Sequence, residues 1–387
     1  TGGGAWDGGG GGGRIAVAYD AAVQASAPVP SVQFAVFPGT GTFRTGIRGT
    51  VYVPDTVLFR NGVFSGGGLR LVIPGATNWT TDHMVLSNSW LSFEPPMPIS
   101  ITNDVLVSGS GARLDVFYYN LSCGGNLTIT NNGIVSVYSN PTNTVSPDYG
   151  TAVNVGGRLL VGAGARVYAY ADATNGGTVL FSVKDLTVAA GGEINASSNG
   201  YIGVPDAKGL GPGGGLPSTL SHVGSGGGYG GAGGPSSEAA GGITYGASNA
   251  PIQAGSAGGG WWSPATPGGK GGGAVRVVAS RDVTVDGAIS ANGGNEAMYG
   301  GGGSGGGIFL VCRRFSGGGS LSAKGGNGGV NGTYSGGGGG GRIAVLRTTT
   351  NQISTLVTGG TGAYSNGLPG TVFWGIPPLK GTVILVL

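Results

Sequence analysis

The ten-residue word GGGGGGRIAV occurs twice in this chain, at residues 8–17 and 336–345. The copies stand 328 residues apart, from Arg14 to Arg342, near the two ends of a 387-residue chain. Their sequels agree as well. Gly49-Thr50-Val51-Tyr52-Val53 follows the first and Gly370-Thr371-Val372-Phe373-Trp374 follows the second. Self-similarity constrains architecture more than any single residue, because it marks chains built from stacked layers. In each copy a glycine run ends at an arginine that opens a strand. The expectation is that the chain begins and ends with equivalent layers, the two words at equivalent positions, so that a next subunit can continue the stack.

Between the words a second repeat appears: a short apolar strand, a Gly or Asn turn, and another short strand. Val105-Leu106-Val107 leads to Leu114-Asp115-Val116, Leu127-Thr128-Ile129 to Val135-Ser136-Val137, and Leu159-Leu160-Val161 to Val167-Tyr168-Ala169. Leu186-Thr187-Val188 leads to Ile194-Asn195-Ala196, Val283-Thr284-Val285 to Ile289-Ser290-Ala291, and Phe315 to Leu321-Ser322-Ala323. The steps from Val105 to Leu127, Leu159 and Leu186 are 22, 32 and 27 residues, and from Val283 to Phe315 again 32. Alternation with period two points one face of each strand inward. Units this short cannot bury a face alone and must stack. The fold class expected is all-β: a parallel β-helix, or solenoid, with long Gly-rich, partly polyproline-II-like excursions. An antiparallel sandwich is the alternative, since Gly and Asn turns also close hairpins.

Four regions follow. Residues 1–99 read as N-terminal β layers, with strands at 14–19, 32–37, 50–53 and 69–73, and an irregular capping or interface segment at 78–98. Residues 100–208 and 274–387 read as β-helix coils, the latter with a C-terminal strand. Residues 209–273 are a Gly-rich excursion holding Tyr229, Tyr245, Trp261 and Trp262. Composition alone makes that excursion a flexible linker. The other reading is an ordered segment packed where only glycine fits.

Composition bears on class. Gly and Pro supply 90 and 20 residues, a share typical of low-complexity chains. Yet 39% of residues are hydrophobic and only 9% charged, the opposite of a disordered chain. So few charges suit an assembly better than a free monomer. The net charge is +3 with basic residues spread singly apart from Arg313-Arg314, which offers no stripe for a nucleic acid. No apolar run reaches membrane-span length. The chain starts at Thr1 without a recognisable signal, so removal of a leader or a larger precursor is expected. Cys123 and Cys312 read as buried free thiols, with a disulfide between them as the alternative in an exported chain.

The run Gly271-Gly272-Gly273-Ala274-Val275-Arg276-Val277, then Asp282-Val283-Thr284-Val285-Asp286-Gly287-Ala288-Ile289-Ser290-Ala291-Asn292-Gly293-Gly294, resembles a recurring segment of very large Gly-rich surface and secreted proteins. So do residues 300–310, 317–329 and the second GGGGGGRIAV. The resemblance covers about residues 155–375 and again 8–53. It implies a Gly-rich parallel β-helix in an extracellular or cell-surface, adhesin-like protein, and it implies no catalytic residues.

Chemistry is sparse. The only histidines are His83 and His222. Gly302-Gly303-Ser304-Gly305-Gly306 matches G-x-S-x-G, but a nucleophile elbow needs a following helix. The G-x-G-x-x-G matches lack a helix and a distal acid, and Lys270 lacks the Ser or Thr of a phosphate loop. Asp282 and Asp286 are the pair that a polysaccharide lyase or hydrolase reading would use. The plainer reading gives them, with Asp104 and Asp185, to strand starts and turns. Phe117, Tyr118, Tyr119, Tyr138, Tyr168 and Tyr170 follow second strands. Their alternatives are internal stacking, or a sugar or subunit surface. The sequons at Asn78, Asn120, Asn126, Asn195 and Asn331 read as chance. No cofactor or metal is expected.

The function expected is a non-enzymatic subunit of an extracellular filament or surface layer, polymerising head to tail by stacking or strand addition. Its partners are copies of itself. The subunit-interface candidates are Arg14, Ile15, Val17, Trp261, Trp262, Val383, Ile384, Leu385, Val386 and Leu387. The rivals are an adhesin or carbohydrate-binding module facing surface glycans, and the polysaccharide lyase or hydrolase.

Overall fold

The computed structural model describes residues 8–40, 46–141, 148–217, 223–262, 265–296, 298–329, 334–349 and 351–377. Among them the strands form two long parallel sheets, of 11 and 15 strands, and one two-stranded antiparallel pair. The long sheets are parallel at every pairing, which removes the antiparallel sandwich. Among the described residues helix is confined to Ala21–Ser26, capped by Asp20, and a single 3-10 turn at Val57–Phe59.

The chain visits the sheets in a fixed rotation. Ile99–Ile101 and Val105–Ser108 lie in the 15-stranded sheet and Arg113–Phe117 in the 11-stranded one. Leu121–Cys123 and Leu127–Thr130 then return to the former and Ile134–Tyr138 to the latter. The 15-stranded sheet thus carries two ladders. Thr151–Val161 and Val179–Val188 each contribute to both, with a register shift between Val155 and Arg158. The three ladders run unbroken past residue 99. The segment expected to be irregular at 78–98 holds the regular strands Trp79–Thr81, Met84–Ser87 and Trp90–Phe93. Conversely, 32–37 makes one bridge, Ala35 to Gly68, and no strand.

The registers are those the repeat spacing implies. Val105 pairs with Leu127, Leu127 with Leu159, Leu159 with Leu186, Leu186 with Val283 and Val283 with Phe315. On the other sheet Leu114, Val135, Val167, Ile194, Ile289 and Leu321 line up in one row. All these side chains are at most 1% exposed. They form one continuous core, in which Phe34, Phe59, Phe64, Trp79 and Phe93 pack together towards the N-terminal layers.

Between Asn195 and Ala274 the chain leaves the ladders, and the Gly-rich segment is packed rather than free. Its glycines join those of 291–294, 301–306, 323–326, 336–341 and 357–370 in a hydrogen-bonded array. Within 301–306 the N–H groups turn to three neighbours in rotation. Gly301 and Ser304 donate to Gly259 and Ser256 (3.0 and 2.9 Å), Gly302 and Gly305 to Gly336 and Gly339 (3.0 and 2.9 Å), and Gly303 and Gly306 to Gly294 and Ala291 (3.0 and 2.7 Å). A repeat of three is that of a polyproline-II helix, which has no internal hydrogen bonds and must bond outward. With neighbours on every side there is no room for side chains. A Cβ on Gly303 would stand 2.0 Å from the Lys270 carbonyl oxygen.

Candidate functional site

The duplicated word proves to be one part of a duplicated module. Gly12 N–H donates to Ile47 and Gly340 N–H to Leu368, both at 2.8 Å. Gly39 donates to Gly10 and Gly360 to Gly338, again both at 2.8 Å. Gly46 donates to Gly39 and Gly367 to Gly360, while Gly49 donates to Val36 and Gly370 to Val357. The strands repeat the pattern: Arg14 pairs with Thr50 and Ile15 with Val51, as Arg342 pairs with Thr371 and Ile343 with Val372. The copies do not, however, occupy equivalent positions. Arg14–Ala16 is the terminal strand of the 11-stranded sheet, whereas Arg342–Leu346 lies in the 15-stranded sheet, next to its terminal strand Thr371–Gly375.

Their surroundings differ too. Arg342–Leu346 has a strand on both sides, Gly307–Val311 and Thr371–Gly375. Ile343, Ala344 and Val345 are fully buried. Arg342 is buried against the excursion, its Nε donating to the Tyr245 carbonyl at 3.0 Å and its guanidinium 5.6 Å from the Tyr229 ring. Arg14–Ala16 pairs only with Thr50–Tyr52 among the described residues. Arg14 is exposed, and Ile15 and Val17 are half-buried against the end of the core. At the far end Val372 and Trp374 are likewise half-buried, with Phe373 38% and Ile376 77% exposed. Both ends of the core therefore leave inward-facing apolar residues incompletely covered.

The other interface candidates are not brought to these ends. Trp261–Trp262 forms the antiparallel pair with Ala265–Thr266 in the excursion, and the Trp261 ring lies 4.4 Å from that of Tyr299. Val383, Ile384, Leu385, Val386 and Leu387 lie outside the described residues.

A polar cluster that sequence reading missed sits on the outer face of the 11-stranded sheet. Asp115 is buried and accepts from Trp90 Nε1 at 2.7 Å, Arg113 Nε at 2.6 Å and Arg48 at 3.2 Å. The two guanidiniums stand 3.3 and 4.7 Å from the Trp90 ring centre. Burial pulls Arg48 down to about 10 despite Asp115. For Arg113 burial pulls downward as well but is outweighed by Asp115, leaving it above its ordinary value. A groove of about 570 Å³ opens beside the cluster, lined also by Arg70, Glu94 and Tyr118. Beside it Phe117, Tyr138 and Tyr170 stack in register, with centroids 4.5 and 4.3 Å apart. Burial pushes the Tyr138 and Tyr170 hydroxyls above their usual value. The rings spend their faces on one another, and Trp90 spends its face on guanidinium. Tyr118 and Tyr119, in contrast, are each 46% exposed.

The acids singled out as a hydrolase pair are engaged elsewhere. Asp282 holds Arg314 on the next layer, Nε to Oδ1 at 2.9 Å. Asp286 caps Gly318 N–H at 3.0 Å. Asp185 pairs with Arg281 and also accepts from Asp282 N–H at 3.2 Å. Asp104 accepts from Asn126 N–H at 2.6 Å. Asn295, Asn327 and Thr361 continue the device, Asn295 Oδ1 accepting from Asn327 N–H and Asn327 Oδ1 from Thr361 N–H, at 2.8 and 3.0 Å. The sequon residues Asn120 and Asn126 likewise accept from Ala152 and Arg158 N–H, at 2.8 and 2.9 Å. Ser304 is buried in the glycine array, its hydroxyl on the Ser256 carbonyl at 3.2 Å. His83 is exposed, and His222 lies outside the described residues. Cys123 and Cys312 are buried and free, so the disulfide alternative is removed. Burial pushes the Cys312 thiol up to about 12. Among the described residues no three of His, Cys, Asp or Glu gather, and no helix is long and apolar enough to cross a membrane.

What sequence reading missed had a partial signal. Arg113 and Asp115 alternate onto one face, but Arg48 and Trp90 come from distant layers. The 32-residue step from Asn295 to Asn327 equals the strand step and could have marked the asparagine row. No protein-family model, curated protein or solved structure matches the chain.

Proposed function

We propose that the chain is a non-enzymatic structural subunit, built as a parallel β-helix with polyproline-II-like glycine excursions, that polymerises head to tail into an extracellular filament or surface layer. The observation that carries the reading is the state of the two core ends. Ile15 and Val17 at one, and Val372 and Trp374 at the other, stand in rows whose interior members are fully buried. An unpaired strand edge beside incompletely covered apolar rows favours addition of another chain. A head-to-tail contact of this kind grows into an open filament. The engagement of Asp115, Asp185, Asp282 and Asp286 in ion pairs and caps weighs against a hydrolase. The self-stacked tyrosines weigh against a glycan platform.

Electron microscopy and sedimentation of the concentrated chain test the reading. Filaments with an axial repeat near one chain length are expected. A monodisperse monomer at high concentration refutes it.

A further inference from the structure

The second module shows what surroundings its sequence takes when complete. On one side of Arg342–Leu346 lies Thr371–Gly375, and on the other Gly307–Val311, preceded by glycines of the array. A Cβ on Gly338 would stand 2.0 Å from Gly303 O, and one on Gly341 2.2 Å from Gly306 O. The corresponding glycines of the first module, Gly10 and Gly13, have no atom within 4 Å of such a Cβ. By contrast Gly12 and Gly340 are crowded by matching atoms, Gly49 N and Val36 O in one case and Gly370 N and Val357 O in the other. The first module therefore has the following layer in place; among the described residues it lacks the preceding one, and Gly8 and Gly11 also lack the excursion carbonyls of Gly234 and Gly231 that crowd Gly336 and Gly339.

We infer that the missing layer is the Thr371–Gly375 end of a second copy of this chain, so that the terminal strand of one chain's 15-stranded sheet abuts Arg14–Ala16 of the next chain's 11-stranded sheet. This rests on the head-to-tail reading and specifies its geometry. The contact continues an interface already present inside the chain. Arg342, Ile343 and Ala344 lie beside Thr371, Val372 and Phe373, as Arg14, Ile15 and Ala16 lie beside Thr50, Val51 and Tyr52. Placing Thr371, Val372 and Phe373 against Arg14, Ile15 and Ala16 makes one alternating stack, small Ala residues between large rings, with Val372 and Ile15 covering one another. Because the modules sit on different sheets, the contact requires each subunit to turn by one sheet face relative to the last. Joining the 11-stranded sheets directly, Ser354–Leu356 to Arg14–Ala16, would leave the bare glycines at Gly10 and Gly13 away from the array.

Two sets of variants test this in the full chain. First, chains carrying Ala16→Cys are mixed with chains carrying either Phe373→Cys or Leu356→Cys, and oxidised. All three sites are exposed, and the natural thiols are buried. Parallel neighbours about 4.8 Å apart fall within disulfide reach. The expected result is cross-linking of Ala16→Cys with Phe373→Cys and not with Leu356→Cys. The reverse result overturns the turned contact while leaving head-to-tail assembly standing. Neither cross-link, with no polymer, overturns both. Second, Gly13→Ala adds a methyl where this chain has no neighbour but the docked layer does. It is expected to leave the monomer's thermal unfolding unchanged and to raise the concentration needed for assembly by about tenfold or more, the equivalent of an overpacking clash. Assembly at the wild-type concentration overturns the inference. Gly318→Ala, also in open space but on the turn between Arg314–Ser316 and Ser320–Ser322 rather than beside Arg14–Ala16 or Thr371–Gly375, serves as the control.

Discussion

Gly303→Ala places one methyl group in the middle of the glycine array, and the structure sets its cost. The added carbon would stand 2.0 Å from Lys270 O, 2.4 Å from Lys270 C and 2.7 Å from Gly269 O. All three are backbone atoms, so no side chain can swing away, and a segment must move by about 1 Å or more to restore contact distances. The movement is opposed on two sides. Gly303 N–H donates to Gly294 and Gly303 O accepts from Gly326, at 3.0 and 2.8 Å. An overpacking penalty of about 1–3 kcal/mol, with one buried hydrogen bond lost at about 1–3 kcal/mol, gives about 2–6 kcal/mol. That is a large part of the stability of an ordinary domain. Gly318→Ala is the counterpart: its Cβ meets nothing within 4 Å. Reduced freedom of the unfolded chain should leave that variant neutral or stabilised by up to about 1 kcal/mol. Denaturant unfolding followed by tyrosine and tryptophan fluorescence compares the two. If Gly303→Ala unfolds within about 0.5 kcal/mol of Gly318→Ala, the array is not close-packed and the account of the glycine runs fails.

Other expectations are simpler to check. Leu121→Ala empties a fully buried position of the core and should cost about 2–5 kcal/mol, whereas Ser122→Ala on the opposite face of that strand should change the denaturation midpoint little. Asp115→Ala leaves Arg48 buried without its carboxylate and should cost about 3–5 kcal/mol; Glu94→Ala, which breaks the more exposed pair with Arg70, should cost less than about 1 kcal/mol. The Asp185 and Asp282 carboxyls are held below the usual range, chiefly by hydrogen bonds from Arg281 and Arg314. Their folded form binds protons less readily than the unfolded chain, so their contribution is present above the ordinary carboxylate value near ~4 and is lost as pH falls through the lowered folded value. Replacing both arginines by glutamine should flatten that acid limb in thermal melts taken between pH 2 and 5. Cys123 and Cys312 are buried, and burial raises both thiols. A thiol reagent should therefore label neither in the native chain and both in denaturant, and rapid native labelling at either site would contradict their placement.

The ladder registers were legible because strand period and burial encode them together. A parallel row such as Leu114, Val135, Val167, Ile194, Ile289 and Leu321 places like residues over like, so aligning the template also aligned the strands. The stacking of Phe117, Tyr138 and Tyr170 followed from the same alignment. Irregularity at 78–98 was misjudged because Trp79 stands in register with the smaller Ile99 and Leu121, and Trp90 with Arg113 and Ile134, although the backbone pairing is unchanged. The Arg48–Trp90–Asp115 cluster was not legible. Its members converge from three layers, and only the registers bring them to one face.

By itself the sequence determined that the chain is β-structured, which residues face inward, which residues pair from layer to layer, and that one module is written twice. Only the tertiary structure decided what the glycines do and where the two modules sit. A glycine carries no side chain to name its neighbour, so the array of three-way hydrogen bonds around 301–306 becomes visible only when distant segments are brought together. The same words then acquire different environments. Residues 336–346 are enclosed by neighbouring layers and the excursion, while residues 8–16 share internal bonds of their duplicate but, among the described residues, have neither a layer before them nor an excursion beside them, because the number and order of neighbours is a property of the stack and not of the word.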